Sequence, residues 1–236
     1  MDKTKIKQNT IRNFLIILII IAFTMITLIA MNYMIPQKYY NANDFKIKTI
    51  YSNVDFDDDY IDDYSDFVLG ARIDVKNNPT YISKYYENAY PPDNEGVCTD
   101  TIWRAFKNAG YSLKDMVDLD IKNNIDDYKE ITTPDPNIDF RRVRNLSVYF
   151  KKYAINLTLN PDDFASWQPG DIVIFGNNKH IGMISDRRNK LGIPYVIHNN
   201  GHGTKEEDYL TKSRITGHYR FDAEKINNEQ LIAWKE

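Results

Sequence analysis

The chain has 236 residues, of which 42% are hydrophobic and 27% charged, a composition typical of a folded protein rather than a disordered one. The formal net charge is −3, but the first twelve residues hold four basic side chains against one acidic, +3 in all, so the rest of the chain carries −6. An acidic body argues against nucleic acid as a partner, because phosphate binding needs a basic surface.

The N-terminal region reads as a membrane anchor. Residues 14–35, FLIILIIIAFTMITLIAMNYMI, contain no charge, and a helix needs roughly 20 apolar residues to cross the hydrocarbon core. A cleaved signal peptide would have a shorter apolar region, about 7–15 residues, and a small-x-small cleavage site. The basic residues of the tail, residues 1–13, place the N-terminus in the cytoplasm. A single-pass protein of the cell membrane is therefore predicted, with everything after Pro36 outside the cytoplasm.

An acidic segment follows, with the run VDFDDDYIDDYSD. Repeated Asp suggests calcium, but an EF-hand loop needs Gly at its sixth position and Glu at its twelfth, and neither is present. We therefore expect residues 36–69 to be a solvated linker or the polar face of a first helix.

The single cysteine opens a helical pattern. From Cys98 to Ala109 apolar residues recur at helical spacing, and Gly110 supplies a C-terminal stop. The two prolines of the preceding YPPDNEG forbid a helix there, so Cys98 is expected in or just before the first turn. Unpaired N–H groups and the helix dipole would lower the pKa of its thiol and could hold an oxyanion.

Two more helices, over YSLKDMVDLDIKNNIDDY and LSVYFKKYAI, precede a C-terminal third with strand character. DIVIF (171–175), HIGMIS (180–185), YVIH (195–198) and GHYRF (217–221) are rich in β-branched and aromatic residues. GNNK between the first two predicts a hairpin. Helices followed by antiparallel strands predict an α+β domain, placed at residues 70–223, with a C-terminal tail at 224–236.

Two histidines are predicted to be neighbours. If the second and third strands form a hairpin about DRRNKLGIP, its midpoint falls near Asn189, with His180 and His198 nine residues to either side. Opposed residues of an antiparallel pair project from one face, with Cβ atoms about 4.5–5.5 Å apart. A helix packed on that face could present Cys98 to His180. Such a group would comprise a nucleophile, a base and an orienting residue.

Each of these residues also has a structural interpretation. Cys98 is the only cysteine, so it forms no intrachain disulfide, and a lone thiol is often simply buried. His198 and His202 have i, i+4 spacing, but HNNGH is a poor helix and no third ligand is evident, so no metal or cofactor is expected. His218 is expected to make a structural hydrogen bond, and His202 lies in a glycine-flanked loop.

The order of a cysteine on a helix, GDIV, a hairpin, HIGM and a polar residue on the next strand resembles the NlpC-type cell-wall peptidases of the papain superfamily. The longer run of GVCTDTIWRAFKNAGY, PDPNIDFRRVRNL, PGDIVIF, HIGMISD, VIHNNG and ITGHYRF resembles a narrower bacterial group, the domain-of-unknown-function family 1287, over roughly residues 70–222. The resemblance implies a papain-like fold with Cys98 as nucleophile, His180 as base and His198 as orienting group.

The sequence departs from the family pattern at Phe140 and Arg144, where the family usually has His and Pro, so any polar role at position 140 is lost. The resemblance assigns no chemistry to Asp100, Arg141 or Arg142. A structural ion pair is the first expectation for them, and an arginine clamp on a substrate carboxylate is the alternative.

The expected function is an extracytoplasmic cysteine peptidase or amidase acting on cell-wall peptides. Two alternatives remain open. One is a non-catalytic envelope-binding module, because a fold does not dictate a function. The other is acyl transfer through the same acyl-thioester.

Overall fold

The computed structural model describes residues 3–34 and 39–235 and divides into two units, residues 1–38 and 39–236. The first unit contains helix α1, Lys3–Met34. Its segment Ile11–Leu28 has a mean hydropathy of 2.4, long and apolar enough to cross a membrane. The predicted apolar helix is confirmed, and a membrane span and a signal sequence would both have this length and composition. The helix also takes in the polar residues before the apolar stretch, which contain neither Pro nor Gly. Residues 35–38, where the predicted anchor ends and the predicted linker begins, lie outside the described residues.

The second unit contains helices and strands in an α+β arrangement. Its helices are α2 (Asp63–Asn77), α3 (Cys98–Asn108), α4 (Leu113–Asn123) and α5 (Val143–Tyr153). Its strands are β1 (Thr80–Tyr81), β2 (Glu95–Gly96), β3 (Ile155–Asn156), β4 (Ile172–Phe175), β5 (His180–Arg188), β6 (Pro194–Asn199), β7 (Thr204–Glu207) and β8 (Ile215–Arg220). Strands β1 and β2 form a short parallel pair, and the other six form one antiparallel sheet in the order β3-β8-β4-β5-β6-β7. The predicted α+β class with an antiparallel sheet is confirmed.

The predicted β4–β5 hairpin is confirmed. Gly176, Asn177 and Asn178 have φ values of 63°, 57° and 63°, the left-handed conformation that Gly and Asn adopt most readily. The chain is not a simple meander, because β8 returns to pair with β4 on the side away from β5.

Helix α3 lies at the centre of the core and is packed against α2 and β5. Its inner face carries Ile102 and Phe106, both fully buried. Phe106 stacks on Phe67 of α2 with ring centroids 4.5 Å apart and meets Phe221 edge to face at 4.9 Å. Burial of this face holds the N-terminus of α3, and Cys98 with it, against the start of β5.

Residues 39–69 and 224–235 belong to the second unit, so neither the predicted linker nor the predicted C-terminal tail is separate from the domain, whereas the alternative of a first helix holds from Asp63 onward. Backbone hydrogen bonds join Tyr40 to Arg188 in both directions, at 3.1 and 2.7 Å. Within the expected linker α2 begins at Asp63, which accepts a hydrogen bond from Tyr111 at 2.6 Å. In the expected tail, the Trp234 N–H donates to the Gly110 carbonyl at 2.7 Å. The many acidic residues favour a solvated segment, although two of them, Asp63 and Asp66, are buried and accept hydrogen bonds.

Candidate active site

Cys98 is the first residue of α3, as predicted. Residue Val97 before it is extended, with φ −125°, and its N–H donates to the Asp100 carboxylate at 2.7 Å. That bond satisfies one donor at the helix start and fixes the direction in which the chain enters the helix. Cys98 is 5% exposed.

The thiol faces strand β5 and one tyrosine. The backbone N–H groups of Ile181, then of Thr99 and Cys98 itself, lie close enough to the Cys98 sulfur to lower the pKa of the thiol. Burial first, and then nearby Cys98, raise the pKa of the Tyr81 phenol. Sequence reasoning missed Tyr81, which lies seventeen residues before Cys98 and reaches it only through the β1–β2 pairing.

The expectation of a lowered thiol pKa is wrong for this structure. Burial raises the pKa of Cys98 to about 11, outweighing the three N–H groups that lower it, and nearby Asp100 raises it further. An N–H group at a helix start stabilises a thiolate by a limited amount, whereas removing water from the thiolate costs more. Cys98 is therefore a neutral thiol at pH 7.

His180 and His198 are brought together as predicted, although their register is different. His180 Nε2 lies 2.7 Å from His198 Nδ1 in a hydrogen bond. Met183 pairs with Ile197, so the hairpin midpoint is residue 190, and His198 stands opposite position 182 rather than 180. The prediction of directly opposed histidines is wrong by two residues. The turn is centred on residue 191, because Arg188 pairs with Pro194, and the bulge between Ile184 and Arg188 moves the centre only to 190, not to the predicted 189. A shift of two keeps both side chains on the same face.

Gly182 leaves room for this pair. A Cβ at this position would approach Val196 Cγ1 to 2.5 Å and His198 Cβ to 3.2 Å. The first distance is shorter than a carbon–carbon contact allows, so a side chain here would push β6 away. The glycine in HIGM thus permits the diagonal contact between the two imidazoles.

Both histidines are neutral at pH 7. Burial and then the charge of His198 lower the pKa of His180 to about 4. Burial, then Lys212 and Lys205, lower the pKa of His198 to about 4. The Tyr209 ring lies 4.2 Å from the His198 ring and 5.8 Å from that of His180, which shields the pair from water.

The charged residues of the family motifs form a structural ion pair. Arg141 Nε and Nη2 donate to the two oxygens of Asp100 at 2.8 and 2.9 Å, and both side chains are buried. The arginine clamp is thereby excluded for Arg141, whose guanidinium is already occupied. Arg142 is largely exposed, 4.0 Å from Asp139. Phe140 is fully buried and packs edge-on against Tyr90.

The other two histidines, His202 and His218, are not part of this hydrogen-bonded pair. His218 is buried, stacks on Trp167 at 3.6 Å and bonds Thr158 and Asp171 through its two nitrogens, so its predicted structural role is confirmed. His202 is exposed in the β6–β7 loop. Among the described residues, the group whose atoms lie close enough together to hold a metal ion is Asp55, Asp57 and Asp59, within 4.8 Å of one another, and it includes no histidine.

Fold and site together define an α+β domain that presents one cysteine at a helix start beside a hydrogen-bonded histidine pair. The chain belongs to the family described as "Domain of unknown function (DUF1287)", whose profile matches residues 68–221, so the predicted membership is confirmed. It is 37% identical over 164 residues to "Uncharacterized protein YijF" of Escherichia coli (strain K12), a match that covers 64% of this chain and 78% of that protein. A comparison with solved structures finds no match.

Proposed function

We propose that the protein is a cysteine hydrolase with a papain-like fold of the NlpC type, cleaving amide bonds of cell-wall peptides outside the cytoplasm. The observation that carries this is the placement of the Cys98 sulfur against the Ile181 N–H, next to His180, which in turn bonds His198 at 2.7 Å. In this proposal Cys98 is the nucleophile, His180 the base and His198 the residue that orients the base.

The orientation of the His180 ring supports the same reading. Its Nε2 is engaged by His198, which leaves Nδ1 for the thiol proton. Within residues 39–235, no hydrogen bond joins His180 Nδ1 to the Cys98 sulfur. Catalytic hydrogen bonds are often long in the absence of substrate and shorten in the complex.

The neutral thiol and neutral imidazole indicate general-base chemistry rather than a preformed ion pair. Sγ attacks the amide carbonyl carbon while its proton passes to His180 Nδ1, and the carbonyl electron pair moves to oxygen. The Cys98 N–H stabilises that oxyanion. His180 then gives the proton to the leaving nitrogen as the C–N bond breaks, leaving a thioester that water hydrolyses to the acid and the free thiol.

Substrate class and location rest on the N-terminal helix and the charge pattern. An uncharged segment preceded by four basic residues favours an anchor with its N-terminus in the cytoplasm. A domain held outside the membrane meets peptidoglycan stem and cross-bridge peptides, whose amide bonds suit this chemistry. If an amine rather than water accepts the acyl group, the same thioester gives acyl transfer, and added amine acceptors would yield new amides.

One observation favours a second candidate, a non-catalytic envelope-binding module. The thiol is 5% exposed, and burial raises its pKa to about 11. A thiol in that state reacts slowly on its own. The two candidates therefore differ in whether His180 activates Cys98.

Turnover tests the leading candidate directly. The full chain in detergent micelles would be incubated with purified peptidoglycan fragments, and new amino groups and products detected by mass spectrometry. We expect Cys98→Ser and His180→Asn each to reduce turnover by about 1000-fold or more with unchanged circular dichroism. His202→Asn alters an exposed histidine and should leave the rate unchanged. Full turnover by Cys98→Ser would refute the nucleophile.

Alkylation separates the two candidates. Iodoacetamide labels only Cys98, because the chain has one cysteine. The thiolate fraction should rise about tenfold per pH unit up to a pKa of about 11. A hydrolase should also show a faster rate near pH 7 that is lost in His180→Asn. Labelling that is slow at pH 7 and indifferent to His180→Asn would support the binding module.

A further inference from the structure

The histidine pair continues beyond His198 to a carboxylate. His198 Nε2 is fully buried and makes no hydrogen bond, yet Glu207 Oε1 lies 3.3 Å from it. Lys205 pairs with His198 across β6 and β7, so Glu207, two residues further along β7, projects from the same face. A buried ring nitrogen this close to a carboxylate oxygen can donate a hydrogen bond to it when the nitrogen carries the proton.

We propose that Glu207 is a positioning residue that fixes the tautomers of His198 and His180, and so leaves His180 Nδ1 unprotonated to act as the base. The catalytic part of this inference rests on the function proposed above, whereas the tautomers themselves do not.

The Glu207 carboxylate determines which ring nitrogens carry the protons. An ionised carboxylate only accepts hydrogen bonds, so the His198 nitrogen that faces Glu207, Nε2, must carry the proton. A neutral imidazole has one N–H, so His198 Nδ1 is then an acceptor. The hydrogen bond at 2.7 Å therefore has His180 Nε2 as its donor. His180 in turn has its single proton on Nε2, and its Nδ1 carries a lone pair.

The opposite arrangement would be unfavourable at both ends. If His198 donated from Nδ1, its Nε2 lone pair would face the Glu207 carboxylate at 3.3 Å with no proton between them. His180 would then hold its proton on Nδ1, where it could not take one from Cys98. Without Glu207 nothing described around His198 Nε2 would favour one tautomer over the other.

The surroundings hold Glu207 in place and keep His198 singly protonated. Lys212 Nζ lies 3.7 Å from the second oxygen, Oε2, and so tethers the carboxylate from the other side. Burial, and then Lys212 and Lys205, disfavour a second proton on His198. The Tyr209 ring covers the imidazole face. The carboxylate also stabilises the positive charge that forms on His180 when it receives the thiol proton.

Nitrogen NMR of the imidazoles reads the tautomers without any need for turnover. The full chain would be labelled with ¹⁵N-histidine in micelles. In the wild type we expect His180 and His198 both to carry the proton on Nε2. Glu207→Leu removes the acceptor and should give a mixture of tautomers at both rings, whereas Glu207→Gln, whose amide oxygen still accepts, should retain most of the Nε2–H form. His218, held by Thr158 and Asp171, serves as the internal reference.

Kinetics test the consequence. We expect Glu207→Leu to lower kcat by about 10- to 100-fold, by analogy with residues that orient metal-binding histidines, with KM unchanged and a smaller loss in Glu207→Gln. Unchanged tautomers in Glu207→Leu, in a chain with a native circular dichroism spectrum, would overturn the positioning role. Tautomers that shift as expected in a chain whose wild type shows no turnover would uphold Glu207 and refute the hydrolase instead.

Discussion

The buried ion pair between Asp100 and Arg141 should hold the start of α3, and with it Cys98. The Asp100 carboxylate accepts four hydrogen bonds within 2.9 Å: from Val97 N–H, Trp103 Nε1 and two nitrogens of Arg141. Both oxygens face donors. In Asp100→Asn the amide NH₂ must therefore point at a donor, and the Arg141 charge loses its counter-ion.

The expected cost is large because Arg141 cannot reach water. Its side chain is 2% exposed, and its remaining contacts are the Lys84 carbonyl at 2.7 Å and the Tyr86 ring. Breaking a buried pair by removing one partner costs about 3–5 kcal/mol. For a domain of this size each kcal/mol lowers Tm by about 2–4 °C, so Asp100→Asn should lower Tm by roughly 6–20 °C.

Thermal unfolding of the full chain in micelles, followed by tryptophan fluorescence, measures this. The three tryptophans all lie in the second unit, so they report on it alone. The matched control is Glu130→Gln, which breaks the exposed pair with Arg144 at 2.7 Å and should cost less than about 1 kcal/mol. Adding Arg141→Met to Asp100→Asn should recover part of the loss, because no unpaired charge then remains buried. A Tm for Asp100→Asn within about 3 °C of the wild type would refute the reasoning.

Two further changes test the acidic segment and the histidine pair. Burial and then Asp59 raise the pKa of Asp66 to about 7, so the folded protein holds this proton more tightly than the unfolded chain, and stability is lost as pH rises from about 4 through 7. Asp66→Asn should therefore raise Tm at pH 8 in EDTA by roughly 2–8 °C (about 1–2 kcal/mol), with a gain that shrinks toward pH 4; a lowered Tm at pH 8 would contradict this. Gly182→Ala would place a Cβ 2.5 Å from Val196 Cγ1, so it should cost about 1–3 kcal/mol and separate His198 from His180. Unchanged Tm and unchanged ¹⁵N shifts of both imidazoles would contradict this prediction, because they would show that β6 can move to accommodate the alanine side chain.

The sequence predicted those helices and strands whose pattern of apolar residues agrees with their burial in the fold. Strands β4 and β5 are apolar runs buried in the sheet, and the GNNK turn contains the residues that accept positive φ. Strand β7, TKEE, was missed because it has no apolar alternation. Helix α2 begins within the acidic run, whose aspartates left a solvated linker open as an alternative to a first helix. Asp63 and Asp66 are 1% exposed, and no composition rule separates a buried carboxylate with partners from a solvated one.

The candidate site was predictable to the extent that it depends on one hairpin. Counting residues outward from the predicted turn places both histidines on the same face of the sheet. The observed register differs from the predicted one by two residues, which keeps them on that face, whereas a difference of one residue would have put them on opposite faces. Tyr81 and Glu207 could not be found in this way. Tyr81 comes from a short strand paired with another element, and Glu207 comes from a strand with no recognisable pattern. Their proximity is a property of tertiary packing alone.

The pKa of Cys98 was the main failure of the sequence interpretation, and its cause determines which mechanism is feasible. Burial raises the pKa of the thiol to about 11 and lowers that of His180 to about 4. Moving the proton from sulfur to imidazole before substrate arrives would cost roughly 10 kcal/mol, before the mutual attraction of the two ions is counted. A preformed ion pair is therefore disfavoured, and the proton must move as the S–C bond forms. The groups that matter are then those that stabilise charge as it develops: the N–H at the start of α3 for the oxyanion, and Glu207 for the imidazolium. Replacing Glu207 should consequently slow the chemical step more than it slows alkylation of the free thiolate at pH 11, where His180 has no proton to accept.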